Sequence, residues 1–301
     1  MDCSAVPLAE ARCGPEHCPP EWRHHREQFQ RRGWAVLPGL LTAPEARRFG
    51  AAFEAHHRHR RPESYEPRGG DGGGVMEELD SVQALWEDCP ELRALAFHPS
   101  VAAAAAALLG VPSVRVLQDQ ANTKPPGGGP TFAHQDQPYL PVREPLTVAA
   151  WVPLCRGGSS AANGRMGYVS GSHRSGLKWH PALSKGADAA YPRQMQPFPP
   201  LDDPGRSILT HPLVADLPTE FISVPEGSVA FHSGLTLHLS QPNRTEGWRH
   251  AYTTTYCASD CTVGSVMGYT LKPTAACVSP ARSLSCGCPC RHALRWLVVI
   301  S

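Results

Sequence analysis

The first third of the chain predicts helices. Segments with helical composition are 21–32, Thr42 to about His56, 80–88, 90–97 and Pro99–Leu109. Thr42-Ala-Pro-Glu45 has the composition of a helix start, because Thr at the N-cap and Glu three residues later can bond each other's free backbone N–H groups. Gly110 follows the alanine-rich helix and provides a left-handed stop.

Beyond Gly110 the pattern changes to short apolar or alternating runs separated by glycine and proline. Together with the run that begins at Trp34, the predicted strands are 114–120, 146–154, 166–170, 220–224, 228–232 and 249–257. Helices followed by many short strands favour an all-β sandwich or barrel with a helical flank. The segments 60–80 and 175–218 lack periodicity and predict long loops that build or cover a substrate pocket.

Composition then excludes several classes of protein. Apolar residues make up 41% of the chain and charged residues 18%, which excludes a mainly disordered protein. The net charge of +1 gives no electrostatic reason to expect nucleic acid as a partner. The longest apolar run, Val101–Leu109, has nine residues, whereas a membrane span needs about 18. With no apolar export signal near the start, we expect a cytoplasmic protein.

The chain divides into three predicted parts. Residues 1–20 predict a disordered tail, residues 21–270 a single domain, and residues 271–301 an atypical cysteine-rich tail. The 11 cysteines are an odd number in a chain too long to need disulfides, so reduced thiols are expected. The oligomeric state is not predicted by any of these features.

The most informative pattern is His134-Gln-Asp136 with His238 a further 104 positions along the chain. Residues i and i+2 of a strand face the same side, so His134 and Asp136 are expected to point together into a barrel. Two imidazoles and one carboxylate, with other coordination positions open, are typical of non-haem iron(II) oxygenases. A lone His-x-Asp is weak evidence in a chain with 15 histidines.

An arginine 11 residues after His238 strengthens the prediction. His238 is expected to end one strand and Arg249 to enter its neighbour, with both side chains facing inward. Fe²⁺ with one aspartate carries a single positive charge and can bind the keto-acid end of 2-oxoglutarate. The far carboxylate of that cosubstrate still needs a cation, and a planar guanidinium binds a carboxylate through two hydrogen bonds.

At these residues the chain resembles the phytanoyl-CoA dioxygenase family of iron(II)/2-oxoglutarate oxygenases, over roughly residues 28–262. The stretches that carry the resemblance are FQRRGWAVLPGLLTAPE, NTKPPGGGPTFAHQD, NGRMGYVSGSHRSG and HLSQPNRTEGWRHAYTTTY. The resemblance implies a mainly β fold, with a double-stranded β-helix (jelly-roll) core and flanking N-terminal helices. The stretch 156–165 and Ser170 depart from the family pattern, and no likeness is found after about residue 262.

The resemblance also implies roles for individual residues. His134, Asp136 and His238 become iron ligands, and Arg249 becomes the clamp on the C5 carboxylate of 2-oxoglutarate. Lys124 becomes a second contact to that cosubstrate. Residues expected to line or assist the pocket are Trp151, Gln135, Gln118 and Ser240.

The activity implied by the resemblance is hydroxylation of an aliphatic C–H bond in a small-molecule or lipid-like substrate, with release of succinate and CO₂. Its cofactors are Fe(II), 2-oxoglutarate and O₂, with ascorbate as a candidate reductant. Related iron halogenases replace the carboxylate by a small residue, so Asp136 favours hydroxylation over halogenation.

Two alternatives stay open from the sequence. The same ligands could hold Zn²⁺ in a hydrolase, although a hydrolytic site has no standing need for the cations Arg249 and Lys124. The chain could also be an inactive member of the same fold that acts as a binding protein. His232 is interpreted as a core residue or a neighbour of the ligands.

Overall fold

A computed structural model describes residues 18–60, 80–178 and 208–262, together with the backbone of short strands at 265–266, 269–270 and 298–300. The predicted N-terminal tail lies almost wholly outside the described residues. So do the cysteine-rich tail except 298–300, and most of the two predicted long loops.

Five helices are found in the described N-terminal half. They are α1 (Arg23–Arg32), α2 (Ala43–Arg60), α3 (Leu85–Asp88), α4 (Pro90–Ala96) and α5 (Pro99–Leu109). At the start of α2, the backbone N–H and the hydroxyl of Thr42 both donate to Glu45 Oε2, at 2.8 and 2.7 Å. The N–H of Glu45 donates back to Thr42 Oγ1 at 3.3 Å. The predicted capping box is therefore confirmed, although α2 runs further than expected.

The stop at Gly110 is also confirmed. Gly110 has φ 72° and its N–H donates to the carbonyl of Ala106 at 2.8 Å, which closes the last turn of α5. A positive φ of this kind is strained for residues that carry a Cβ, so glycine is the residue that ends the helix here.

The predicted helix at 80–88 is wrong in its first half. Asp80–Gln83 forms strand β2, and α3 begins only at Leu85. β2 pairs antiparallel with the C-terminal part of β3 (Val114–Lys124), where Asp80 lies opposite Thr123. The local sequence is compatible with a helix, but the unpaired backbone groups of an adjacent strand offer ladder hydrogen bonds, and that tertiary pairing decides the conformation.

The described strands form two larger antiparallel sheets. The seven-stranded sheet has the order β1-β8-β5-β10-β3-β13, with β2 also paired to β3; the four-stranded sheet has the order β4-β9-β6-β7. The remaining bounds are β1 (Trp34–Leu37), β4 (Thr131–His134), β5 (Thr147–Pro153), β6 (Met166–Val169), β7 (Thr219–Ile222), β8 (Val229–Ser233), β9 (His238–Ser240), β10 (Arg249–Ala258), β11 (Ser265–Val266), β12 (Tyr269–Thr270) and β13 (Val298–Ile300). β11 pairs only with β12 among the described strands. The predicted jelly-roll core with an N-terminal helical flank is confirmed.

The helices cover one face of the larger sheet, and the other face is left for a cavity. Tyr252 and Tyr256 on β10 belong to the hydrophobic core that the helices share with the sheet, whereas Arg249, Thr253 and Thr255 of the same strand line the cavity. Alternation of side chains along a strand produces this separation. All ten residues of β10 are buried, because both of its faces are covered.

One helical stretch, Pro90–Leu109, has the length and apolar composition of a membrane span. Half of it is buried inside the protein, and the stretch consists of α4 and α5 with a break between them. Buried helices of protein cores share this length and composition, so this stretch is weak evidence for a membrane span.

Candidate metal centre

The two predicted histidine ligands lie opposite each other on neighbouring strands. β4 pairs antiparallel with β9, and His134 is the register partner of His238. An irregularity in the register between Thr131 and His134 lets both of these residues face the cavity. Paired residues on adjacent strands have their Cβ atoms about 5 Å apart, and the two imidazole rings lie 4.2 Å apart between centroids.

Two details differ from the sequence-based expectation. Asp136 lies beyond the end of β4, with φ −80° and ψ −38°, where a short 3-10 helix (Gln137–Tyr139) begins. His238 begins β9 instead of ending a strand, and Arg249 begins β10 in the other sheet. His238 and Arg249 therefore face the same cavity from two different sheets, and not from neighbouring strands of one sheet.

The three side chains still converge on one point. The Nε2 atoms of His134 and His238 lie 3.8 and 3.7 Å from Asp136 Oδ1. Potential ligand atoms of these residues all lie within 4.8 Å of one another, a separation that a single metal ion can bridge. Among the described residues this is the one cluster of His, Cys, Asp and Glu with that property.

Each histidine is also held in the tautomer that a metal ion needs. His134 Nδ1 lies 2.8 Å from the carbonyl oxygen of Phe132, and His238 Nδ1 lies 3.0 Å from the carbonyl oxygen of Thr236. A carbonyl only accepts, so both Nδ1 atoms carry a hydrogen, and in the neutral form of each ring the Nε2 atom then keeps a lone pair for a metal ion. These two backbone bonds orient the rings in the way that outer partners orient metal-bound histidines.

The electrostatics of the cluster fit the same purpose. Burial raises the pKa of Asp136, but the imidazoles of His238, His232 and His134 lower it by more, so the pKa lies below its usual range and the carboxylate is ionised. Burial and the neighbouring imidazoles His134 and His232 hold the pKa of His238 well below its usual value. An ionised carboxylate beside a neutral imidazole is the protonation state that divalent cations require.

Arg249 is a buried cation facing the same cavity. Its Nη1 donates to the carbonyl of Asn122 at 3.2 Å, and its guanidinium carbon lies 5.6 Å from the ring centroid of Trp151. Burial lowers the pKa of Arg249 to about 10, which leaves it charged at neutral pH. Within the described part of the chain, no carboxylate pairs with this guanidinium, and its Nε is a buried atom with no hydrogen-bond partner. A buried charge without a counter-ion is costly, so this position is ready to receive an anion.

The cavity that joins these groups has a volume of about 90 Å³. Trp151, Gln118 and Ser240, which the sequence predicts to be pocket residues, all line it. Further polar lining residues were not predicted: Gln120, Asn122, Thr131, Thr253 and Thr255. Alternation along the strands was the signal that could have found most of them, because they lie two or four residues from predicted residues.

Lys124 and Gln135 are buried but do not line the cavity. Lys124 is the register partner of Arg249 on β3, and its Nζ donates to the carbonyl of Gly129. The amide of Gln135 donates to the carbonyls of Leu177 and Leu235, at 2.9 and 2.6 Å. These three hydrogen bonds are made to backbone carbonyls of residues that do not line the cavity, and the predicted cosubstrate roles of Lys124 and Gln135 stay predictions.

Comparison with known proteins gives a consistent result. The family model described as phytanoyl-CoA dioxygenase matches residues 29–251. A curated relative, the peroxisomal phytanoyl-CoA dioxygenase of Rattus norvegicus, is 25% identical over 260 residues, which cover 81% of this chain and 70% of the relative.

Solved structures with the same fold include enzymes whose names or bound ligands mention alpha ketoglutarate. The non-heme alpha ketoglutarate dependent carbocyclase SnoK, from nogalamycin biosynthesis, has 25% identity and a TM-score of 0.61, covering 86% of this chain and 96% of its own. The epimerase SnoN, solved with Fe³⁺, alpha ketoglutarate and nogalamycin RO, has 24% identity and a TM-score of 0.63, covering 88% and 94%. At this identity SnoN supports the fold alone.

Proposed function

Because this chain belongs to the phytanoyl-CoA dioxygenase family, we propose that it hydroxylates an aliphatic C–H bond of a small-molecule or lipid-like substrate, with release of succinate and CO₂. As a member of that family it is a non-haem iron(II)- and 2-oxoglutarate-dependent oxygenase. The observation that carries the proposal is one cavity that holds both the His-Asp-His cluster and a buried guanidinium with no carboxylate partner among the described residues.

His134, Asp136 and His238 would hold the iron. Three protein ligands on one face of the ion leave the remaining positions open for the cosubstrate and O₂. The lone pairs of the two imidazoles already point at a common site, so binding costs little reorganisation. When bound, the iron with 2-oxoglutarate and O₂ supplies an oxidant that is strong enough for an unactivated C–H bond.

Arg249 would bind the C5 carboxylate of 2-oxoglutarate at the other end of the cavity. The guanidinium is pre-oriented by the Asn122 carbonyl and lies near the ring of Trp151, and it gains a counter-ion on binding. Gln118 and Ser240 would add polar contacts from the cavity wall, with the hydroxyl of Ser240 held by Thr131 at 2.9 Å. Lys124 and Gln135 would support the site through the backbone that they hold.

Hydroxylation is the finer part of the proposal. The names of two structural neighbours describe a carbocyclase and an epimerase, so the cofactors alone do not fix the reaction. Asp136, which occupies the carboxylate position, supports hydroxylation over halogenation. The buried guanidinium favours an oxygenase over a zinc hydrolase, since hydrolysis has no standing need for a second cation in the cavity.

The test uses the full chain with Fe(II), 2-oxoglutarate, ascorbate and ¹⁸O₂, against a panel of acyl thioesters, free fatty acids and small metabolites. We expect one substrate to stimulate succinate formation and to gain one ¹⁸O atom. Stimulated succinate without ¹⁸O in the product would indicate cyclisation or epimerisation. Hydrolysis of a substrate with Zn²⁺ in place of iron would support the hydrolase alternative, and substrate binding without succinate would support a binding protein.

The cytoplasmic location predicted from the sequence stays a prediction. The curated rat relative carries the word peroxisomal in its name. Imaging of the tagged full-length chain beside a peroxisomal marker would distinguish the two compartments.

A further inference from the structure

A third imidazole lies against the metal-binding carboxylate. His232 on β8 is 2% exposed, and its Nε2 lies 3.3 Å from Asp136 Oδ2. The two predicted ligands approach the other oxygen, Oδ1. The two oxygens of Asp136 therefore have different neighbours.

The hydrogen positions of this contact follow from its partners. Asp136 is ionised and can only accept, so His232 Nε2 carries the hydrogen and donates it to Oδ2. In the neutral form of the ring His232 Nδ1 then has a lone pair, which accepts from the hydroxyl of Tyr168 at 3.3 Å. Burial and the charge of Asp136 raise the pKa of Tyr168 above its usual value, which keeps that hydroxyl a donor.

Tyr168 is itself held firmly in place. Its ring stacks on Trp34 with 5.3 Å between centroids and 17° between planes. The indole N–H of Trp34 donates to Ser170 Oγ at 2.8 Å. These contacts fix the ring and tautomer of His232 on its Nδ1 side, opposite Asp136.

We propose that His232 is a positioning residue that keeps Asp136 a ligand through Oδ1 alone. The inference rests on the proposed function of the metal centre. A carboxylate can bind a metal ion through one oxygen or both, and a second oxygen would take up a position needed by 2-oxoglutarate or O₂. The His232 N–H occupies Oδ2, so coordination through both oxygens would break a buried hydrogen bond, which is unfavourable. His232 is not a fourth ligand, because Asp136 and Tyr168 occupy both of its ring nitrogens.

The experiment compares wild type with His232→Phe, His232→Gln and Tyr168→Phe. His232→Phe keeps the ring but removes the donor, whereas His232→Gln supplies an amide N–H. Tyr168→Phe removes only the hydroxyl that fixes the tautomer. Tyr256→Phe is the matched control: this tyrosine is equally buried, but its hydroxyl donates to the Ala96 carbonyl in the helical core.

Two measurements report on coordination without turnover. The visible absorption of the Co(II) protein reports the coordination number, and an anaerobic titration of the Fe(II) protein with 2-oxoglutarate gives the affinity for chelation. For His232→Phe we expect Co(II) affinity within tenfold of wild type, a spectrum shifted to higher coordination number, and at least tenfold weaker 2-oxoglutarate binding. Tyr168→Phe should change both in the same direction by less, and His232→Gln should restore most of the wild-type behaviour. Tyr256→Phe should leave both measurements unchanged.

Two results would overturn the inference. One is a His232→Phe protein with the wild-type Co(II) spectrum and 2-oxoglutarate affinity. The other is loss of Co(II) binding from a folded His232→Phe protein, which would make His232 a ligand. If His232→Phe does not fold, Tyr168→Phe decides, and an unchanged spectrum and affinity there would likewise refute the inference. Failure of wild type to bind Fe(II) and 2-oxoglutarate would instead refute the proposed function.

Discussion

Two aspartates on opposite sides of the larger sheet, the buried Asp119 and the half-buried Asp136, have different surroundings. Asp119 on β3 faces the helices and accepts from the N–H of Ala84 at 2.8 Å, the N–H of Trp86 at 2.9 Å and the hydroxyl of Tyr252 at 2.7 Å. Asp136 faces the cavity, where three imidazole nitrogens lie 3.3–3.8 Å from it. The same type of side chain therefore accepts hydrogen bonds at a helix start in one place and belongs to the candidate metal centre in the other.

The two carboxyl groups also differ in pKa. Burial raises the pKa of Asp119, and the hydrogen bonds from Tyr252, Trp86 and Ala84 offset only part of that rise. The imidazoles more than offset burial at Asp136, whose pKa falls. Asp119 already accepts three hydrogen bonds. Asp136 instead has imidazole nitrogens of two histidines beside Oδ1, which can share a cation with it.

The largest effect is expected from a substitution of Asp136, the proposed metal ligand. Asp136→Asn should weaken Fe(II) or Co(II) binding by at least about 100-fold, because one anionic ligand is lost and the imidazoles cannot compensate for its charge. Calorimetric titration with Co(II) measures this, and circular dichroism checks the fold. Binding within a few-fold of wild type would show that Asp136 is not a ligand.

The next effect concerns the cation across the cavity. Arg249→Met should keep Co(II) binding but weaken 2-oxoglutarate binding by about 30-fold or more, since a buried charge pair is worth at least about 2 kcal/mol. It should also raise the stability of the protein without cosubstrate, because it removes a buried charge that no carboxylate of the described residues neutralises. Equal loss of metal and cosubstrate binding would contradict the assigned roles.

The structural aspartate should behave in the opposite way. Asp119→Asn should lower the free energy of unfolding by about 1–3 kcal/mol at neutral pH, because the amide places a donor against the N–H and O–H groups around it. Co(II) and 2-oxoglutarate affinities should not change. Urea unfolding measures the first expectation, and a loss of Co(II) affinity in the folded variant would show that the two faces of the sheet are coupled.

The raised pKa of Asp119 predicts a pH dependence. The folded protein holds the proton of Asp119 to higher pH than the unfolded chain does, so this group's contribution to stability falls as pH rises through its folded pKa. The stability difference between metal-free wild type and Asp119→Asn should therefore be greatest at acidic pH and narrow toward neutrality. Urea unfolding across that range tests the sign, and a difference that widens with pH would refute it.

The smallest expected effect is at Lys124. Because its Nζ is held by the carbonyl of Gly129 and it does not line the cavity, Lys124→Met should weaken 2-oxoglutarate binding by less than about tenfold, or 1.4 kcal/mol. The same anaerobic titration measures it beside Arg249→Met. An effect as large as that of Arg249→Met would mean that Lys124 contacts the cosubstrate directly.

The sequence identified elements whose signals are local. Thr42 and Glu45 form the capping box, and both partners lie within one turn. Gly110 ends α5 with a positive φ, a backbone conformation that depends on the residue type at that one position. The spacing in His134-Gln-Asp136 predicted that these side chains converge, although it assigned Asp136 to a strand that ends before it.

Features that depend on remote partners were decided by the tertiary structure. The strand at Asp80–Gln83 exists because β3 offers it a ladder, and the register that places His134 opposite His238 is set by pairing between distant segments. The hydrogen bond from His232 to one oxygen of Asp136 links residues 96 positions apart. Residue type and spacing determined which groups were available for chemistry, whereas burial and pairing between distant segments decided which of them meet, because the energies of desolvation and hydrogen bonding depend on neighbours that a linear pattern does not specify.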